Sequence, residues 1–119
     1  MRDFRELQIW QKGHDLTLHL YALTKTFPDD ERYGLSSQIR RAASSIPANI
    51  AEGCGTATEA AFTRYLQIAI SSASELQYHL ILAHDLTYMD QKAFHKYSHD
   101  LEEVKKMLSV FIQRVRARI

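Results

Sequence analysis

A row of possible metal ligands lies near the C-terminal end of the chain. His95 and His99 are four residues apart, and Glu103 follows four residues later, so all three share one face of a helix that contains them. Imidazole and carboxylate groups at this spacing can bind a divalent cation. This face lies opposite Leu101 and Leu108, where no neighbouring group would orient the ligands. We therefore expect a solvated row that holds no metal ion.

The only cysteine, Cys54, is the candidate nucleophile. It lies between Gly53 and Gly55, and no neighbouring histidine or aspartate offers an activating base. The same Gly-Cys-Gly sequence lacks the Lys-Ser or Lys-Thr pair of a nucleotide-binding loop and follows a predicted helix rather than a strand. We predict that the protein is not an enzyme and has no catalytic residue and no cofactor. A single cysteine forms no intrachain disulfide, which favours a reducing, cytoplasmic setting.

Positive charge is concentrated locally rather than along the whole chain. Fifteen lysines and arginines oppose 14 acidic residues, so the formal net charge is +1, far from the excess of a strongly basic nucleic-acid binder. One local cluster is Arg40 with Arg41, and residues 105–119 carry only basic charges. The C-terminal basic residues are Lys105, Lys106, Arg114, Arg116 and Arg118. They could contact RNA or DNA, or stabilise the dipole at a helix C-terminus.

A polar row runs along the predicted second helix. Its members recur every three or four residues among small side chains, so they share one side of that helix. They are Gln38, Arg41, Ser45, Asn49 and Glu52. Such a side cannot face a dry core unpaired. Either it is solvated, or it forms a hydrogen-bonded network with another helix or another subunit, in which Arg41 could pair with a carboxylate such as Glu52 or Glu75.

Four helical segments must position these residues. The length of 119 residues, a mass of 13.8 kDa and an apolar content of 45% indicate one domain, residues 1–119, rich in long helices. In the third segment apolar residues alternate four and three apart, and the fourth segment repeats this spacing. A short turn at residues 87–89 joins these two segments, so they pack antiparallel. We predict an all-α, antiparallel up-and-down four-helix bundle.

The apolar seams define the predicted core. The seam of the third helix is Phe62, Leu66, Ala69, Ala73, Leu76, Leu80 and Ala83. The seam of the fourth helix is Phe94, Tyr97, Leu101, Val104, Leu108, Phe111 and Val115. Other apolar residues fall outside the main seams, among them Leu7, Leu18, Ile70 and Ile81. The core of the bundle can require this breadth, or these residues can form a subunit interface.

Capping residues and prolines mark the expected helix ends. The proposed caps are Asp3 with Glu6, Ser36 or Ser37, Thr56 with Glu59, and Asp90. The second helix is expected over about residues 35–52 and contains Pro47, which lacks an amide proton. We predict a kink or break there, unless Ser44 or Ser45 satisfies the carbonyl group of Ala43.

The longest uncharged stretches, such as Tyr65–Ser74, are about half of the roughly 20 residues that span a bilayer, so we expect no membrane contact.

The segment Ser44–Gly53, with the sequence SSIPANIAEG, carries a specific resemblance. It resembles the bacterial four-helix-bundle proteins encoded in intervening sequences of 23S ribosomal RNA genes. Further matches are the motifs FREL and IWQK at residues 4–12, RRA at 40–42, and the third-helix pattern of Tyr65-Leu66, Ile68-Ala69, Ser72 and Glu75-Leu76. The resemblance covers nearly the whole chain.

The resemblance implies a small, non-catalytic bundle that assembles as a ring, a homopentamer. It also implies similarity to the accessory proteins of diversity-generating retroelements, which bind reverse transcriptase and nucleic acid. The family pattern has basic residues where this chain has Thr56 and Ile70, which lowers the positive charge expected there. We therefore expect a ring-forming scaffold that binds RNA or DNA, a nucleic-acid-processing protein, or both. The alternative is a protein-only adaptor ring without nucleic-acid binding.

Overall fold

The computed structural model describes residues 2–118 and has four α-helices within them. These are α1 (Gln8–Thr24), α2 (Leu35–Cys54), α3 (Glu59–Asp85) and α4 (Gln91–Arg116). Helices that follow each other along the chain pack together, and α1 closes the bundle against α4. The described residues contain no β-strand. This arrangement confirms the predicted all-α four-helix bundle, which measures 46 × 23 × 20 Å.

The core follows the predicted seams closely in α3 and less closely in α4. Every predicted seam residue of α3 is buried. In α4, Leu101, Val104, Leu108 and Val115 are buried, whereas Phe94, Tyr97 and Phe111 are half-buried. Ile112, which lies beside the seam, is 4% exposed and belongs to the core. The half-buried aromatic rings pack at the edge of the core. The Phe111 ring, for example, contacts the Phe62 ring edge-on, with 5.6 Å between the ring centres.

Two helix starts differ from the capping boxes predicted for them. Asp3 does accept a backbone hydrogen bond, from Arg5 N at 3.1 Å, but it caps a 3₁₀ turn at Phe4–Glu6, and α1 begins only at Gln8. The cap of α3 lies two residues later than predicted, because Thr58 Oγ1 rather than Thr56 accepts the hydrogen bond from Ala61 N. The predicted cap at Asp90 is confirmed: its Oδ1 accepts a hydrogen bond from Ala93 N at 2.8 Å.

A glutamate from the preceding 3₁₀ turn caps α2. Glu31 Oε1 accepts a hydrogen bond from Leu35 N at 3.0 Å, so the prediction of Ser36 or Ser37 as the cap was wrong. Glu31 Oε2 also accepts a hydrogen bond from the Tyr88 hydroxyl at 2.8 Å, which ties the start of α2 to the turn between α3 and α4. The bonds from Leu35 and Tyr88 lower the pKa of Glu31, and the same contact raises the pKa of Tyr88.

Helix α2 continues through Pro47 without a break and ends at Cys54; the kink stays a prediction. Neither predicted serine satisfies the Ala43 carbonyl group. The Thr17 hydroxyl of α1 does so, at 3.0 Å, while also lying 2.8 Å from Gly13 O. The two helices are close here: a Cβ atom at Gly13 would lie 3.3 Å from Ile46 Cγ2. Glycine therefore allows the approach that lets Thr17 compensate for the missing amide proton.

Candidate nucleic-acid and subunit interfaces

The middle of the polar row on α2 forms a hydrogen-bonded network with α3. Asn49 Nδ2 donates to Ser45 O at 2.7 Å and to Ser45 Oγ at 2.9 Å. The Ser45 and Ser72 hydroxyl groups are 2.8 Å apart, which links the row to α3. The serine and asparagine side chains are half-buried. Ser45 and Asn49 therefore belong to a hydrogen-bonded network with another helix and not to a fully solvated face.

The two ends of the row behave differently. Arg41 Nη2 donates to Gln38 Oε1 at 2.8 Å on the same helix, and both Arg41 and Glu52 are exposed. Glu75 instead pairs with His79, at 3.0 Å between Oε2 and Nε2. The expected pair of Arg41 with Glu52 or Glu75 therefore does not form within one chain. Arg41 and Glu52 remain available at the surface.

A close approach of α2 and α3 lies beside this network. A Cβ atom at Gly53 would lie 2.9 Å from Phe62 Cδ1 and 3.0 Å from Tyr65 Cβ, closer than ordinary carbon contacts. The adjacent Cys54 is 2% exposed. Burial raises the pKa of the Cys54 thiol, which disfavours the reactive thiolate. Glycine at position 53 permits helix packing here.

The sequence pattern did not reveal the role of Arg2. Its guanidinium group donates two hydrogen bonds to Glu59, at 3.0 and 2.9 Å, and lies 4.2 Å above the centre of the Phe62 ring. The partners are 57 residues apart, so helical spacing offers no signal for this contact. The hydrogen bonds from Arg2 lower the pKa of Glu59, and the same pair raises the pKa of Arg2. Arg2 thus attaches the N-terminal segment to the start of α3.

The pair Arg40 and Arg41 does not form one basic patch. Arg40 Nε donates to Thr24 Oγ1 at 2.8 Å, and its Nη2 donates to Tyr21 O at 3.2 Å. Its guanidinium group also lies 4.8 Å from the centre of the Tyr21 ring. A cation at this place stabilises the C-terminus of α1. Arg40 therefore has a structural role, and only Arg41 presents a free surface charge.

The basic side chains of residues 105–119 lie on two different edges of α4. Lys105 and Arg116 lie on the side of α4 that faces α3, where Lys105 Nζ donates to Gln77 Oε1 at 3.1 Å. Lys106 and Arg114 lie towards α1 and line an open groove. Arg118 follows the end of α4, and its Nη1 lies 4.0 Å from Glu59 Oε2. The stretch is therefore not one continuous basic surface.

The groove beside Lys106 and Arg114 has an apolar floor. We call it the α1–α4 groove; its volume is about 440 Å³. The floor residues are Leu7, Ile9, Met107, Val110 and Phe111. The rim carries Glu6 and Gln8 opposite the two cations of α4. An apolar floor between charged rims can bind an amphipathic ligand.

The apolar residues outside the seams fall into two classes. Leu18 on α1 and Ile81 on α3 are 54% and 43% exposed, as expected for an interface. Leu7 and Ile70 are half-buried and pack against the core, so their primary contacts lie within the chain. Leu18 also lines a second apolar groove, between α1 and α2, with Trp10 and Tyr21. Exposed apolar side chains on two different helices are candidates for contact with another subunit.

The histidine row of α4 is at the surface. His99 Nε2 lies 3.0 Å from Glu103 Oε1, and Lys12 Nζ donates to Glu103 Oε2 at 3.0 Å. The hydrogen bond from Lys12 lowers the pKa of Glu103. His95 Nε2 contacts Gln91 Nε2 at 3.2 Å instead of joining the pair. Within residues 2–118, no three side chains are arranged to hold a metal ion.

The fold and the sequence together define the family. Residues 5–110 match the model of the 23S rRNA-intervening sequence protein family, and the chain belongs to it. Its structure is similar to that of a protein of unknown function from the S23 ribosomal protein family of Bacteroides thetaiotaomicron VPI-5482. The two share 28% sequence identity with a TM-score of 0.82, over 87% of this chain and 97% of the other. No curated protein matches the chain. None of the helices within residues 2–118 combines the length and the hydropathy of a membrane span.

Proposed function

We propose that the protein is a non-catalytic subunit of a ring-forming scaffold that binds RNA or DNA. The observation that carries the ring is the exposure of Leu18 and Ile81 on different helices. A contact between two different patches repeats from subunit to subunit and closes into a ring when the rotation permits. The free charges of Arg41 and Glu52 would lie at the same kind of interface and pair between subunits. Resemblance to the family suggests about five copies.

Charge distribution supports nucleic-acid binding at one end of the bundle. The C-terminal half of α4 carries Lys105 and Arg116 on one edge, and Arg118 follows the end of the helix. The turns at the opposite end carry the acidic residues Asp29, Asp30, Asp85 and Asp90. These carboxylates make the opposite end less favourable for phosphate groups than the basic edge of α4. A ring would present the basic edge of every subunit on the same face, and so multiply a small local charge.

Light scattering on a sizing column tests the ring. We expect a mass of about five times 13.8 kDa for the unmodified chain. Leu18→Asp should shift the protein towards monomer, because it buries a carboxylate at an apolar contact. The control is Lys92→Asp, which places a carboxylate at an exposed polar position in the first turn of α4 and should leave the mass unchanged. A monomeric unmodified protein at micromolar concentration would contradict the ring.

A gel-shift salt series tests nucleic-acid binding. The double variant Lys105→Gln/Arg116→Gln should weaken binding and flatten the salt dependence by up to about two phosphate contacts. Lys25→Gln/Lys92→Gln removes the same charge at the acidic end and should have little effect. Equal losses in the two variants would show that only net charge matters. No binding by the unmodified chain would exclude this function.

The second candidate is a protein-only adaptor ring, which the α1–α4 groove favours. Its floor is mainly aliphatic, and aliphatic side chains bury apolar groups of a polypeptide rather than stack on bases. Reverse transcriptase or another polypeptide would then be the partner. A ring that fails to bind RNA or DNA at low salt would favour this candidate.

A further inference from the structure

The α1–α4 groove has the size and lining of a binding site. Its volume of about 440 Å³ lies within the usual range for ligand pockets. Val110, in the floor, is 44% exposed although it is a large apolar residue in a regular helix. Met107 beside it has a flexible side chain, which can adapt to different apolar partners. An apolar ligand would remove this surface from water.

Two unpaired cations define the charge that such a ligand must carry. Among the described residues, neither Lys106 nor Arg114 has a carboxylate oxygen within 4.0 Å. They are eight residues apart on α4, a distance of about 12 Å along the helix axis. Glu6 is the single acidic residue of the rim, on the opposite side of the floor. The α4 rim is therefore complementary to a ligand with two negative groups about 12 Å apart.

We propose that the α1–α4 groove docks an acidic, amphipathic segment of a partner protein, whose apolar side chains contact the floor and whose carboxylates pair with Lys106 and Arg114. A helix of about two to three turns spans the two cations and presents apolar side chains at every third or fourth residue between them. The site is separate from the edge of Lys105 and Arg116, so it requires neither the ring nor nucleic-acid binding.

The floor distinguishes a polypeptide from a nucleic acid. Single-stranded nucleic acid binds by stacking bases on aromatic rings. Phe111 is the only aromatic residue of the floor, and its ring already packs edge-on against Phe62. The other floor residues are aliphatic or methionine, which suit leucine, isoleucine or phenylalanine side chains of a helix. The carboxylate of Glu6 would also repel a continuous phosphate backbone, whereas a helix can keep its acidic side towards α4.

Selection from a random peptide library tests the proposal without a known partner. Peptides of about 12 residues span roughly 18 Å as a helix, enough to reach both cations. Selection on the unmodified protein, with removal of peptides that bind Lys106→Gln/Arg114→Gln, should enrich acidic sequences with apolar residues at helical spacing. No enrichment, or enrichment of neutral or basic sequences, would overturn the proposal.

Binding of one enriched peptide to matched variants gives the quantitative test. Fluorescence anisotropy should show at least about tenfold weaker binding to Lys106→Gln/Arg114→Gln, a loss typical of charge-assisted contacts. Lys105→Gln/Arg116→Gln removes the same net charge and should change binding less than about twofold. Val110→Asp, at an exposed position, should abolish binding while circular dichroism shows an intact fold. Equal losses in the two double variants would overturn the proposal.

Competition with a nucleic acid completes the test. A single-stranded oligouridylate should not displace the peptide at physiological salt. Displacement from the unmodified protein, together with loss of direct oligouridylate binding in Val110→Asp, would show that the groove binds nucleic acid instead. Loss of oligouridylate binding only in Lys105→Gln/Arg116→Gln would support the separate nucleic-acid edge and leave the groove to the peptide.

Discussion

The two sides of the bundle differ in how closely their helices approach. Around α2, the positions of Gly13 and Gly53 have neighbouring atoms within 3.3 and 2.9 Å of an added Cβ. Of the neighbouring helix pairs, α1 and α4 make the least extensive contact, and an open groove of about 440 Å³ remains between them. Glycines occur where the helices approach closely, and longer side chains line the groove. Substitutions around α2 should therefore affect folding, whereas substitution of an exposed groove residue such as Val110 should affect binding.

The largest expected loss of stability is in the core, and α4 allows a comparison of a core residue with a groove residue on one helix. Leu108 is fully buried, and Leu108→Ala should lower the free energy of unfolding by about 2 to 5 kcal/mol. Val110→Ala, two residues away in the groove floor, should lower it by less than about 0.5 kcal/mol, because its side chain is already exposed. Guanidinium chloride unfolding measures both. Similar losses would mean that the groove floor belongs to the folding core.

A smaller effect is expected where α2 meets α3. Gly53→Ala should destabilise the protein by about 1 to 3 kcal/mol, because the new Cβ overlaps the Phe62 ring and the Tyr65 Cβ. Gly55→Ala is the control: its nearest neighbour would be Glu52 O at 3.4 Å, and its φ of −86° suits alanine. The midpoint of chemical unfolding should fall only for Gly53→Ala. A neutral Gly53→Ala would show that the two helices can separate without cost.

A comparable effect is expected where α2 meets α1. Thr17→Val removes the hydroxyl group that compensates for Pro47, so it leaves the Ala43 carbonyl group unsatisfied and should cost about 1 to 3 kcal/mol. Thr63→Val is the matched control, because the Thr63 hydroxyl donates to Glu59 O, which the helix backbone also satisfies. Equal unfolding energies for the two variants would show that the Ala43 carbonyl group needs no partner.

The sequence predicted the parts of the fold that depend on local periodicity. The seam of α3 and the cap at Asp90 follow from residues at most a few turns apart, and both are confirmed. The contacts of Thr17 with Ala43 and of Arg2 with Glu59 join residues 26 and 57 positions apart. Such contacts depend on how helices cross, which apolar spacing does not specify.

The sequence predicted which residues of the candidate sites are charged or polar, but only partly which of them share one surface. A run of basic residues specifies charge, but the rotation of α4 decides that Lys105 and Lys106 lie on different edges. The role of Arg40 at the end of α1 was hidden for a similar reason, since its partner Thr24 is 16 residues away. The α1–α4 groove is lined by residues of α4, of the start of α1 and of the segment before it, so the pattern of a single helix cannot reveal it.

The smallest expected effect is at the outer surface of α4. Replacing both His95 and His99 by Ala should change the free energy of unfolding by less than about 0.5 kcal/mol, because both side chains are exposed. The contact of Glu103 with Lys12 across α1 and α4 should survive, since it does not involve either histidine. Thermal unfolding measures the change, and elemental analysis of untagged protein should find no stoichiometric zinc. A large loss of stability or bound zinc would instead place a structural site on the loosely packed side of the bundle.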